Sequence, residues 1–143
     1  MMKKCATYLV LIVMILMLAS CNGQKQQEKA RALYEEGVQL REEQHSEEAA
    51  ECFLQGLELL NNDVKTHGRE SLQLVADIND NLGALYLKHG LFDGAFDAHN
   101  EALRCFKILN DSTGMMNAHR NSGRAVRAQE QYTQAKQYYD SAF

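Results

Sequence analysis

Proline and tryptophan are both missing from this 143-residue chain. Without proline, nothing in the sequence forces a helix to break or kink. Without tryptophan, and with no aromatic platform in view, capture of glycans by ring stacking is disfavoured. Strand-like alternation never persists, so neither a strand-borne phosphate loop nor a serine nucleophile turn has a place to form. The histidines His45, His67, His89, His99 and His119 do not form the His/Glu helix pattern of a zinc protease. Cys52 and Cys105 lack the spacing of a zinc site. The expectation is therefore a protein without catalysis, metal or cofactor. Positive charge is scarce as well. The formal net charge is −4, and −6 without Lys3 and Lys4. Phosphate-backbone binding rests on clustered Lys and Arg, which sets nucleic acid aside as a partner.

What is present begins with a basic and apolar leader. Lys3 and Lys4 precede Ala6–Leu18, in which only Thr7 and Tyr8 are neither aliphatic, Ala nor Met. A span of hydrocarbon takes about 20 residues, so this stretch suits a cleavable secretion signal better than an anchor. Leu18-Ala19-Ser20-Cys21 follows. An aliphatic residue, two small ones and a cysteine, placed directly after such a leader, resemble the lipobox of bacterial lipoproteins. The resemblance implies that residues 1–20 are a signal peptide. It also implies that the Cys21 thiol takes a diacylglycerol, that the chain is cut before it, and that the new amine is acylated. Several acyl chains, at about 0.8 kcal/mol per buried CH₂, make such attachment effectively permanent. Asn22 stands where Asp would signal inner-membrane retention, which favours the outer membrane of a Gram-negative envelope. The polar run to Glu28 reads as a tether, giving segments 21–28 for lipidated cysteine and tether and 29–143 for the folded domain.

Apolar residues then recur every three or four positions. Ala30, Leu33, Gly37 and Leu40 form one stripe; Leu74, Ile78, Leu82 and Leu85 form another. Helices are expected near 28–44, 46–61, 69–89, 92–109, 113–129 and 131–143. Each stripe is one-sided, so no helix buries itself alone. A pattern of small residues repeats along the chain. Gly37, Gly83 and Gly123 are each followed twelve residues later by alanine: Ala49, Ala95 and Ala135. Nineteen residues later come Gly56, Ala102 and Ala142. Phe53 and Tyr139 stand at an intervening aromatic place, which His99 occupies in the middle copy, and Tyr86 follows Gly83 by three.

This pattern resembles the tetratricopeptide repeat, over roughly residues 29–143. The resemblance implies an all-α, right-handed superhelical stack of about three helical hairpins, an α-solenoid, with repeats near 30–63, 76–109 and 116–143. The proline usual after the second helix is missing from every copy, and the intervals of 46 and 40 residues exceed the commonest form. His99, standing for a core aromatic, is expected to be a hydrogen-bonded core histidine.

In such arrays the first helices line a concave groove that holds peptides or protein segments. Here that groove would draw Tyr34 and Arg41 from the first, Asp77, Asp80 and Asn81 from the third, and Asn117, Arg120, Asn121, Arg124 and Arg127 from the fifth. Arg120, Arg124 and Arg127 share one helix face. Two readings of that row stand side by side. Guanidinium forks receive carboxylates of a partner, or Arg120 and Arg124 pair with Asp77 and Asp80 next door; pairing is favoured for two of the three. The known carboxylate clamp of this family is not carried over, since only Asn81 matches it.

The expected function is a lipid-anchored scaffold or adaptor that binds a protein or peptide partner. The alternative is a truncated sensor region of an envelope signalling protein. The last helix reaches Phe143 without a polar cap. Self-association through that uncapped hairpin is therefore among the expectations.

Overall fold

The computed structural model describes residues 23–61 and 68–141, with side chains for 23–60 and 68–133. The leader, Cys21 and Ala142 lie outside the described residues, as do the side chains of Ala135 and Tyr139. Every described element is a helix: α1 (23–42), α2 (Ser46–Asn61), α3 (Arg69–Lys88), α4 (Phe92–Leu109) and α5 (Ser112–Ser141). The protein is all-α.

Helices α1 and α2 make one antiparallel hairpin, α3 and α4 a second, and the two are built alike. Gly37 lies under the Phe53 ring, and Gly83 under the His99 ring. A Cβ on Gly37 would stand 2.7 Å from Phe53, and one on Gly83 2.6 Å from His99. No real side chain approaches that closely, so glycine is what lets each pair of helices touch. Seven residues beyond each glycine the chain turns left-handed, at Gln44 (φ 67°) and Gly90 (φ 72°). The next amide reaches back into the helix just ended. His45 N–H donates to Leu40 O, and Leu91 N–H to Tyr86 O, each at 2.8 Å. These are the bonds that satisfy orphan carbonyls at a helix end. Ala49 and Ala95 then open the second helices, both fully buried. The pairs differ at one place. Three residues before the glycine, Tyr34 meets Phe53 with ring centroids 6.1 Å apart, whereas Asp80 meets His99 through a hydrogen bond of 2.8 Å.

Helix α5 packs antiparallel along α4, burying Ala118, Ser122 and Ala125. Its start is well marked. Asn110 takes the left-handed conformation (φ 56°), and Asp111 Oδ1 accepts from Gly114 N–H at 3.0 Å, an N-terminal cap. The core runs between the helices through Phe53, Leu74, Ile78, Leu82, Ala102, Cys105 and Phe106.

Two features depart from what the sequence pattern predicts. Residues 23–28, read from composition as a tether, are helical and continuous with α1. Gln27 Nε2 donates to Glu70 Oε2 at 3.2 Å. Gln, Lys and Glu are good helix formers without any apolar face, so composition alone understates the helix. The second departure concerns the third hairpin. The break expected near residue 130 is absent, and α5 continues to Ser141. The array is therefore two hairpins and one long helix among the described residues, rather than three hairpins with a repeat at 116–143. Glu130 stands where Gln44 and Gly90 turn left-handed, inside the helix-favouring run Ala128–Gln131. A Cβ on Gly123 would meet nothing within 4 Å among the described residues, in contrast to Gly37 and Gly83.

Candidate functional site

Helices α1, α3 and α5 lie side by side, and the polar residues predicted for a groove meet along their shared face. Arg41 Nη1 donates to Asn81 Oδ1. Asn81 Nδ2 in turn donates to the Asp77 backbone carbonyl at 2.8 Å, which fixes the amide. Gln73 Nε2 donates to the Asp77 carboxylate at 3.0 Å. On the other side, Asp80 Oδ1 accepts from His99 Nδ1 at 2.8 Å and from Asn121 Nδ2 at 3.1 Å. The chain of contacts thus links α1 to α3 and α3 to α5.

The two aspartates titrate in opposite directions. The His99 hydrogen bond, helped by Asn121, holds the Asp80 carboxyl below its ordinary value. Asp77 is pushed up, first by burial and then by the neighbouring carboxylates Asp80 and Asp111, against the Gln73 hydrogen bond and the Arg31 charge. Tyr34 is pushed up by burial first and by the Asp77 charge next. The face is therefore acidic along its middle, with arginines to either side.

The expected pairing of Arg120 and Arg124 with Asp77 and Asp80 is not formed. Among the described residues no carboxylate lies within 4 Å of Arg120, Arg124 or Arg127. Arg120 instead donates to Asn117 Oδ1 at 3.2 Å, and its charge reaches Asp80 only through space. The reason is competition. Gln73 already donates to Asp77, and His99 and Asn121 to Asp80, and a long exposed arginine gains little by displacing them.

His99 is the residue that organises this end of the site. It is 1% exposed, and its ring fills the space over Gly83. Because the ionised Asp80 carboxylate can only accept, the Nδ1 side of the ring donates. Nε2 is buried and has no hydrogen-bond partner among the described residues. Beside it, between α3 and α5, opens a cleft of about 200 Å³ lined by Ala84, Leu87, Lys88, His99, Asn121 and Arg124. Lys88 Nζ also reaches Ser46 Oγ at 3.3 Å. Two cations, one amide and an apolar floor suit a carboxylate with a hydrocarbon stem.

Lys88 was not among the groove residues read from sequence. The signal that would have found it is its position, five residues after Gly83 and one turn beyond Ala84. Among the described residues no group of three or more His, Cys, Asp or Glu is arranged to hold a metal ion, and no helix is long and apolar enough to cross a membrane. In comparisons with known proteins, no family model, curated protein or solved structure matches this chain.

Proposed function

We propose that this chain is a lipid-anchored, non-enzymatic interaction protein of the bacterial envelope. In this reading a tetratricopeptide-like array holds a carboxylate-bearing segment of a protein partner in the cleft between α3 and α5. The observation that carries it is the cleft between α3 and α5, where Lys88 and Arg124 flank an apolar floor. The glycine–ring contact, left-handed turn and buried alanine that recur at equal intervals in both hairpins support the repeat resemblance. Arg120, Arg124 and Arg127, exposed on one helix and without carboxylate neighbours among the described residues, support an anionic partner rather than internal pairing. The lipid anchor rests on the sequence around Cys21 and favours the outer membrane.

The test uses the native envelope. A photo-crosslinking residue in place of Asn121, followed by mass spectrometry, is expected to trap one dominant partner. Arg124→Glu in the same chain is expected to lower its recovery about tenfold, the effect of about 1.4 kcal/mol. Equal recovery with and without that charge would remove the groove from the proposal. Separately, Cys21→Ala is expected to release the protein from the membrane fraction. Unchanged fractionation would remove the anchor.

A further inference from the structure

We infer that His99 Nε2 accepts a backbone N–H of the bound segment, from the same residue whose carboxylate enters the cleft between α3 and α5. The inference rests on the cleft reading above and adds a second recognised group to it.

The imidazole lies along α3. Its Nδ1 donates to Asp80 Oδ1 at 2.8 Å. Its other edge lies over Gly83, where a Cβ would stand 2.6 Å from Cε1 and 2.7 Å from Nε2. Gly83 is three residues past Asp80, and the cleft starts at the next residue, Ala84, and continues past Leu87 to Lys88. The two ring nitrogens point in widely different directions. A ring anchored on Asp80 therefore turns Nε2 up the helix toward the cleft, which His99 itself lines. His99 is 1% exposed, and Nε2 has no hydrogen-bond partner among the described residues. The polar neighbours are engaged elsewhere: Asn121 Nδ2 donates to Asp80, and Lys88 Nζ to Ser46 Oγ.

The charges around the ring decide what it can take. Asp80 stands at Nδ1, whereas Lys88 and Arg124 line the cleft on the Nε2 side. Two cations there oppose a second proton on the ring, so Nε2 keeps its lone pair and acts as an acceptor. A buried acceptor left unmet is costly, and a ligand that donates to it removes that cost. A carboxylate alone is drawn to the cations but has no hydrogen to give Nε2. A protein segment supplies what is missing, because every residue except proline carries a backbone N–H. The cleft, about 200 Å³, has room for one residue's carboxylate and the amide beside it.

The experiment uses the full chain in mild detergent and two acids that differ at one atom. N-acetyl-leucine carries a carboxylate, a hydrocarbon stem and an amide N–H. The O-acetyl ester of leucic acid has oxygen in place of that N–H. In titrations followed by NMR, N-acetyl-leucine is expected to bind about tenfold more tightly than the ester, the worth of one buried hydrogen bond. Arg124→Glu is expected to weaken both acids alike. His99→Phe repeats the Phe53 arrangement over Gly37 and is expected to abolish the preference while leaving the ester's affinity as it was. In the unsubstituted chain with isotope-labelled histidine, His99 Nε2 is expected to resonate as an unprotonated nitrogen. N-acetyl-leucine is expected to shift that resonance more than the ester does, a measurement that needs no variant to fold. Equal affinities for the two acids, with Arg124→Glu still weakening both, overturn this inference and leave the cleft reading in place. So does a preference that survives His99→Phe, or a proton on Nε2 in the free protein. Affinity for neither acid overturns both.

Discussion

At the scale of single residues, closeness and charge make separable predictions. Gly83→Ala drives a methyl into a buried ring that is itself tied to Asp80, so the ring has nowhere to retreat. Overpacking of that kind costs about 1–3 kcal/mol, against at most about 1 kcal/mol gained in helix propensity. Net destabilisation is expected in urea melts. Gly94→Ala meets the half-buried Tyr86 ring at 3.3 Å, which has room to give, and is expected to be near neutral or mildly stabilising. Equal losses at both positions would contradict the contact geometry. The aspartates add a pH dependence. Because the folded state lowers the Asp80 carboxyl from its ordinary 3.8, its contribution is complete above that value and is lost as pH falls through the lower folded value. Asp80→Asn is expected to cost about 1–3 kcal/mol at neutral pH, and the gap to the unsubstituted chain should narrow below pH 3.8. Asp77, raised by burial, has the opposite sign: it opposes folding increasingly as pH rises through its folded value. Asp77→Asn is expected to stabilise the chain at neutral pH. Urea midpoints for both variants from about pH 2.5 to about pH 7, which brackets the ordinary carboxylate range, decide the two signs.

At the scale of elements, the helix ends carry the most readable energetics. Gln44 holds φ 67° where the second hairpin uses Gly90. A left-handed non-glycine residue costs about 1–2 kcal/mol. Gln44→Gly is therefore expected to raise the unfolding free energy by about 1 kcal/mol, read as a shifted urea midpoint at constant slope. The helices α2, α3 and α4 were legible from sequence because apolar residues recur there every three or four positions on one side of each helix. Two boundaries were not. Nothing apolar marks the start of α1, and Gln27 is held by a contact with Glu70 forty-three positions away. The continuity of α5 past Glu130 was hidden for the opposite reason: the small-residue pattern of a hairpin is present, but no turn residue accompanies it. The groove was legible as a set of positions and not as a set of partners. Asn121 and His99 claim Asp80 before any arginine does, and that outcome depends on side-chain reach across helices.

At the scale of the whole molecule, the two described thiols report on different motions. Cys105 is fully buried between α3 and α4, and burial pushes its thiol up. Cys52 is half-buried, its thiol also raised by burial. A thiol reagent is expected to modify Cys52 in the folded protein. Cys105 should react only at the rate of global opening, accelerating along the urea unfolding curve. Equal rates in native buffer would mean that α4 leaves the core without the rest. The meeting of Asp80 with His99 also bears on how the chain sorts itself while folding. Two hairpins so similar could exchange arms, since each glycine lies under a ring sixteen residues further on. Exchanging them would set Phe53 against Asp80 and His99 against Tyr34. The first of these leaves a half-buried carboxylate with Asn121 as its one remaining donor among the described residues, while the proper arrangement gives rings to rings and imidazole to carboxylate. That one bond is a key cut for a single lock: it favours each arm in its own hairpin over the exchanged arrangement.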